Sequence, residues 1–363
     1  MLSWIGFAIG VAGFMATVGS VVETTVVPRG TRSRTTRAVD RAVQVLFQLI
    51  ADRFERSKRH DRVWALGGPT YLMSLLVTWL LLLLGELTLM MWPFVKGSLG
   101  EAFRAAGSSL FTLGSSTPGN VAPAALTFLG AGTGLIVVTL QIAYLPTLYA
   151  AYNRREVPVT VLDSLAGAPA WGPEILARFA LIASTDLLDD LYREWTAWSA
   201  DISESHAAYR SLIYFRSPTS TRSWLIAQLA MLDAAALHLA LCPTTAPRSA
   251  RRMLRVGYLS VQEVAAAVRL RCRPGTEGES DLTDADIVEA FDLIAQSGLV
   301  VERTGPAALA QAMADFRGWR VNYEPAAYAL AEHIDAVPAL WSGPRRRQRE
   351  RIAPMRPSRA GLR

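Results

Sequence analysis

Residues 100–156 read GEAFRAAGSSLFTLGSSTPGNVAPAALTFLGAGTGLIVVTLQIAYLPTLYAAYNRRE. A short amphipathic segment leads into the turn Thr112-Leu113-Gly114-Ser115-Ser116-Thr117, and an apolar run from Pro123 to about Tyr152 follows, closed by Asn153, Arg154 and Arg155. The part from Gly97 to Asn120 is too short and too polar to cross a bilayer, and Pro118-Gly119 forces a turn. It must dip into the membrane and return, or lie outside. Irregular backbone at membrane depth is tolerated only where protein buries it or where it lines a water-filled cavity. A re-entrant loop followed by a spanning helix is therefore expected here.

Working outward, two more apolar stretches are long enough to span. Leu2–Val27 carries Glu23 as its only charge and has Gly6, Gly10 and Gly13 at the small-residue spacing that lets helices approach closely. It lacks a basic leader and an Ala-x-Ala site before Pro28, so it is expected to stay attached. Pro69–Trp92 contains LLVTWLLLLLGELTLMMW, with Glu86 in its outer half. An ionisable group at that depth either serves function or snorkels to the interface. Between these two stretches, residues 29–62 hold nine arginines, and Val43, Leu46, Phe47, Ile50 and Phe54 recur at helical spacing. An amphipathic helix lying on the inner leaflet fits that pattern best, and a linker helix packed on the rest of the protein is the alternative. Basic residues at 29–62 and 154–155 put the N-terminus outside and the C-terminus in the cytoplasm.

Composition agrees with a chain that is part membrane and part soluble. It is 51% hydrophobic yet 19% charged over 363 residues, with mean hydropathy +0.23. The net charge of +6 is accounted for by membrane orientation, so no nucleic-acid partner is inferred.

The order outer helix, short helix, Thr-x-Gly turn and inner helix over about Pro69 to Glu156 resembles the two-helix pore module of potassium channels. On that resemblance Thr112, Leu113 and Gly114 fall at the start of the selectivity filter. Gly130, Gly132 and Gly134 fall where such inner helices often carry a gating hinge, and Pro146 adds a second candidate bend. The family's Tyr-Gly-Asp is replaced by Ser115, Ser116 and Thr117. Filter carbonyls replace an ion's hydration shell, and glycine permits the left-handed backbone their stacking requires. Loss of the second glycine thus implies a wider, partly hydroxyl-lined filter that discriminates weakly between potassium and sodium. The C-terminal ends of four short helices aimed at one axis would still favour cations.

After a linker with Pro158 and Pro169, residues from about Trp171 to Ser342 read as a soluble helical domain. Trp224–Leu241 is apolar but contains Asp233 and His238, which marks it as a buried core helix. Leu187, Leu188, Leu191, Tyr192, Trp195 and Trp198 form a helical stripe, Thr283 with Asp286 resembles a capping box, and only Leu299–Val301 hints at a strand. His206, His238 and His333 are scattered, and no nucleophile, phosphate-loop or zinc-protease motif occurs. Neither an enzyme nor a cofactor is expected, and Cys242 and Cys272 are expected to be free thiols. The tail from Pro344 is arginine-rich and broken by prolines, suited to solvent or anionic lipid.

The sequence thus predicts an all-α membrane protein with three transmembrane helices, a re-entrant pore loop and a cytosolic helical domain. Its segments are residues 1–28, a basic stretch 29–62, a pore module 63–156, a helical domain 157–342 and a tail 343–363. The expected activity is passage of monovalent cations through a homotetramer in the cell's inner membrane. A non-conducting membrane receptor or scaffold with a pore-like fold is the alternative.

Overall fold

The structure, a computed structural model, describes residues 1–27, 34–51, 66–95, 98–115, 120–182, 186–219, 221–270, 272 and 281–343. Described elements are helical throughout, and the segment 299–301 is irregular backbone with no strand among the described residues. The amides of Glu302 and Arg303 donate to the Leu241 carbonyl instead. Among the described residues, four helices are long and apolar enough to cross a membrane: Leu2–Thr25, Gly67–Met91, Val121–Ala166 and Trp224–Leu241. The chain divides into two compact units, Met1–Ala150 and Ala151–Arg363.

In the first unit, α1 (Leu2–Thr25) packs on α3 (Gly67–Met91) through the small-residue stripe. A Cβ at Gly10 would lie 2.7 Å from the Glu86 carbonyl oxygen, and one at Gly13 would lie 2.9 Å from the Glu86 carboxylate. Further along the same face, Thr17 donates to Glu86 Oε1 at 2.8 Å and Trp79 Nε1 donates to Ser20 Oγ at 3.2 Å. Glu86 is therefore turned toward a neighbouring helix. The helix α2 (Arg34–Ala51) carries buried Val39 and Phe47 and brings Thr36 Oγ1 to 3.1 Å from Thr24 Oγ1. It docks on α1 and α3, with Val45, Leu46 and Leu49 left exposed. The Ile50 side chain, Phe54 and the basic residues 52–62 lie outside the described residues.

The short α4 (Leu99–Leu110) packs on α3. The long α5 (Val121–Ala166) then begins, and its 46 residues at about 1.5 Å each make it about 69 Å long. The division between units falls inside α5, and the linker expected at Pro158 is helical. Proline at that position lacks an N–H but does not end the helix.

The second unit has α8 (Trp224–Leu241) at its centre, with all eighteen residues buried. A helix apolar on every face needs cover all round. Here α6 (Gly172–Leu181), α7 (Leu187–Ala208), α9 (Arg248–Ala267), α11 (Pro306–Arg320) and α12 (Glu324–His333) contact it. The stripe of α7 faces inward at Leu188, Leu191, Tyr192, Trp195 and Trp198, all buried, whereas Leu187, expected in it, is exposed at the start of the helix. The helix α10 (Asp284–Ser297) starts with the full capping box of Thr283 and Asp286 and stops at Gly298, whose φ of 85° is the left-handed conformation glycine favours.

Candidate functional site

The turn after α4 is built by the end of the helix itself. Four carbonyls at a helix C-terminus lack partners within the helix. In this chain Phe111 N–H donates to Gly107 O at 3.0 Å, Thr112 N–H to Ser109 O at 3.0 Å and Leu113 N–H to Ser108 O at 2.8 Å. With Thr112 at φ 54°, this is a Schellman closure, and Thr112 takes the left-handed position usually given to glycine. Left-handed conformations are rare for β-branched residues, so the surroundings hold Thr112 there at a cost of about 1–3 kcal/mol. Two residues later Gly114 is left-handed as well, at φ 69°. The Ser115 amide turns back to Ser108 Oγ at 2.9 Å.

The outcome for the backbone is asymmetric. Amides of Phe111, Thr112, Leu113 and Ser115 are spent on α4, whereas the carbonyls of Thr112, Leu113 and Gly114 accept no hydrogen bond from the described residues. Each of the residues 111–115 is exposed within one chain. Sequence reasoning placed Thr112, Leu113, Gly114 and Ser115 together, and the structure keeps them in one turn. Ser116 and Thr117 lie outside the described residues.

The glycines of α5 serve packing in two of three cases. A Cβ at Gly134 would sit 2.2 Å from the Leu110 carbonyl oxygen, and one at Gly130 would sit 2.5 Å from Ser109 Oγ. Nothing lies within 4 Å of a Cβ at Gly132. Ser109 Oγ also donates to the Thr127 carbonyl. The end of α4 is thus fixed on α5 directly before the turn. At Pro146 α5 is continuous, so this position and the glycines shape a helix that has no break in this structure. Gln141 is buried and Thr139 is exposed. A cavity of about 800 Å³ adjoins the turn, lined among others by Phe103, Ser108, Phe111, Leu113, Ser115 and Thr127.

A second constellation lies in the second unit and was not foreseen. Arg155, expected as part of a basic membrane stop, is wholly buried. Its guanidinium donates to Glu156 Oε1 at 2.9 Å and to the Leu212 carbonyl at 2.9 Å, while its own carbonyl accepts from Trp198 Nε1 at 3.0 Å. His206 Nε2 lies 3.4 Å from the guanidinium, and His206 Nδ1 lies 2.9 Å from the Ile202 carbonyl. The geometry assigns the proton to Nδ1 and leaves Nε2 as acceptor. Only Arg154 keeps a surface role, pairing with Asp201 at 3.3 Å. Cys242 and Cys272 are free thiols. Among the described residues, no group of three or more His, Cys, Asp or Glu is placed to hold a metal ion.

Burial, with the Arg155 charge beside it, pushes the His206 imidazole down to about 3, against an ordinary 6.5. Burial likewise pushes His238 down to about 4. Between pH 6.5 and about 3 the unfolded chain binds a proton at His206 that the folded chain refuses. Stability therefore falls as pH falls through that window, by up to about 1.4 kcal/mol per pH unit for each such histidine. Asp233, pushed up to about 6 by burial against an ordinary 3.8, acts in the opposite sense between those values. Urea unfolding of the full chain at a series of pH values, compared with His206→Gln, isolates the histidine. The wild-type protein is expected to lose about one proton's worth of slope more than the variant. Parallel profiles would show that His206 is not kept neutral.

Comparison with known proteins finds no matching family model, curated protein or solved structure. The functional reading consequently rests on the turn and on the helices that hold it.

Proposed function

We propose that the chain is a subunit of a tetrameric cation channel in the cell's inner membrane, with α1, α3 and the first part of α5 as spans and the turn at 112–117 as a filter. The observation that carries this reading is the row of three carbonyls, Thr112, Leu113 and Gly114, which have no donor among the described residues while the neighbouring amides are spent on α4. Carbonyls not engaged by neighbouring donors are available to replace water around a dehydrating cation when several copies converge on one axis. The alternation of left-handed Thr112 and Gly114 supports the same use, since such alternation suits closely stacked carbonyls. Dipole alignment adds to it, because the C-terminus of α4 carries partial negative charge. In this reading the N-terminus is extracytoplasmic and the second unit is a cytoplasmic regulatory domain, in accord with the basic segments.

Purified full chain in liposomes tests the proposal. Passage of potassium and sodium at comparable rates is expected, from a particle with four times the mass of the chain. Ser116→Gly is expected to shift passage toward potassium by returning backbone freedom to the turn. A monomer, or liposomes no leakier than protein-free ones, would favour the non-conducting receptor or scaffold.

A further inference from the structure

The N-terminus of α9 is built against the usual charge rule. Helix starts favour acidic residues because the macrodipole places about half a positive charge there. The first turn of α9 has no acidic residue and no side-chain cap, and Arg248, Arg251, Arg252 and Arg255 line one exposed stripe instead. None of these four makes an ion pair among the described residues. The arrangement raises the local positive potential where the helix is already positive.

Arg248 and Arg252 open onto a cavity of about 890 Å³, whose walls also include Arg193 from α7, His238 from α8 and Ser249. Ser249 is 8% exposed, and its Oγ has no hydrogen-bond partner among the described residues. The amides of Arg248 and Ser249, the first two of the helix, also have none among the described residues, whereas the nearby Thr244 and Thr245 amides are taken by Glu302. A buried hydroxyl without a partner costs about 1–3 kcal/mol. Asp186 and Asp189 line the same cavity, and Asp189 pairs with Arg193. Arg193 is spent on Asp189 and Asp190, and the nearby Glu302 carboxylate is held by the Thr244 and Thr245 amides, so against Asp186 stand the guanidinium groups of Arg248 and Arg252 and the start of α9.

We infer that this cavity is a binding site for a phosphate group, held by the free amides of Arg248 and Ser249, the Ser249 hydroxyl and the side chains of Arg248 and Arg252. Helix N-termini cradle oxoanions through such amides, and arginine forks match their geometry. His238, neutral at physiological pH, adds shape and a hydrogen-bonding edge without charge. The phosphate belongs either to a soluble molecule small enough for the cavity or to a lipid headgroup. The site is independent of conduction, so it stands or falls apart from the pore.

Full-length protein in a neutral detergent, titrated with inorganic phosphate at constant ionic strength, tests the inference through thermal stability and calorimetry. Saturable stabilisation by phosphate and not by chloride is expected. The double substitution Arg248→Gln with Arg252→Gln should weaken binding at least tenfold, and Ser249→Ala several-fold. Arg251→Gln with Arg255→Gln removes the same charge outside the cavity wall and should leave binding within twofold. All variants alter surface positions or one methylene-sized group, and their melting without phosphate reports whether they fold. Phosphatidylcholine vesicles with and without phosphatidic acid form the second arm. Binding to phosphatidic acid that the Arg248, Arg252 pair abolishes assigns a headgroup source, and binding to phosphate in detergent assigns a soluble one. No saturable response in either arm, or equal losses from the two double variants, would overturn the site.

Discussion

Gly134→Val is expected to remove the folded first unit, while Gly132→Val, two residues away, leaves it intact. A Cβ at position 134 would meet the Leu110 carbonyl oxygen at 2.2 Å, and that atom is backbone at the capped end of α4. It cannot turn aside as a side chain would. Typical overpacking costs about 1–3 kcal/mol, and a clash that must move a whole helix end lies at or above the top of that range. At Gly132 nothing stands within 4 Å, so valine there meets open space. Both variants trade glycine for the same β-branched residue in a helix interior, which cancels the propensity change between them. Recovery of monodisperse protein after extraction and its melting temperature give the readout. Equal behaviour of the two variants would mean that α4 and α5 do not meet as described.

The other large effect is expected in the second unit, from Arg320→Met. Arg320 is fully buried and places Nε 3.0 Å from Asp233 Oδ1, Nη1 2.9 Å from Glu324 Oε1 and Nη2 2.6 Å from the Trp341 carbonyl. Tyr323 OH donates to the same Asp233 carboxylate at 2.7 Å. Burial pulls the guanidinium toward neutrality, yet Asp233, Tyr328, Glu324 and Tyr323 together outweigh it and hold its pKa well above the ordinary value. At neutral pH Asp233 stands above its raised pKa of about 6, so the pair is ionised there. Methionine fills similar volume but leaves two buried carboxylates without their cation. Breaking a buried pair from one side costs about 3–5 kcal/mol, whereas replacing all partners together is often close to neutral. Urea unfolding followed by tryptophan fluorescence should therefore show a large loss for Arg320→Met. Much of it should return in the triple variant Asp233→Asn, Arg320→Met, Glu324→Gln. A loss below about 1 kcal/mol for the single change would show that the cluster is not buried as a unit.

Much of the scaffold is legible in the chain because it depends on local pattern. Apolar runs long enough to span appear at α1, α3 and α5, the stripe of α7 repeats at helical spacing, and the Thr283–Asp286 capping box spans three residues. The unforeseen features depend on direction or on distance. Arg154 and Arg155 carry one signal in sequence, but neighbouring helical residues point about 100° apart. One therefore meets Asp201 at the surface while the other enters the core. Pro158 looked like a linker residue, and it lies inside α5 because proline forfeits only one hydrogen bond when its neighbours still support the helix. At the candidate filter, residue types indicated a turn. That Thr112 would close α4 and free three carbonyls followed from φ values and from pairing, which no spacing encodes. The Asp233–Arg320 pair spans 87 residues, beyond the reach of any local pattern.

That separation matters while the chain is being made. The eighteen-residue, largely apolar α8 is the kind of segment that a membrane-insertion machinery accepts, and Asp233 sits at its midpoint. At the centre of a nascent helix an aspartate opposes insertion by about 2.5–3.5 kcal/mol. Its partner is synthesised 87 residues later, which at about 5–20 residues per second is a delay of about 4–17 s. Throughout that interval the carboxylate is unneutralised and argues against entry into lipid. The same oxygen atoms that later bind Arg320 thus first act as a sorting mark, biasing α8 toward folding with its own unit before that unit exists to cover it.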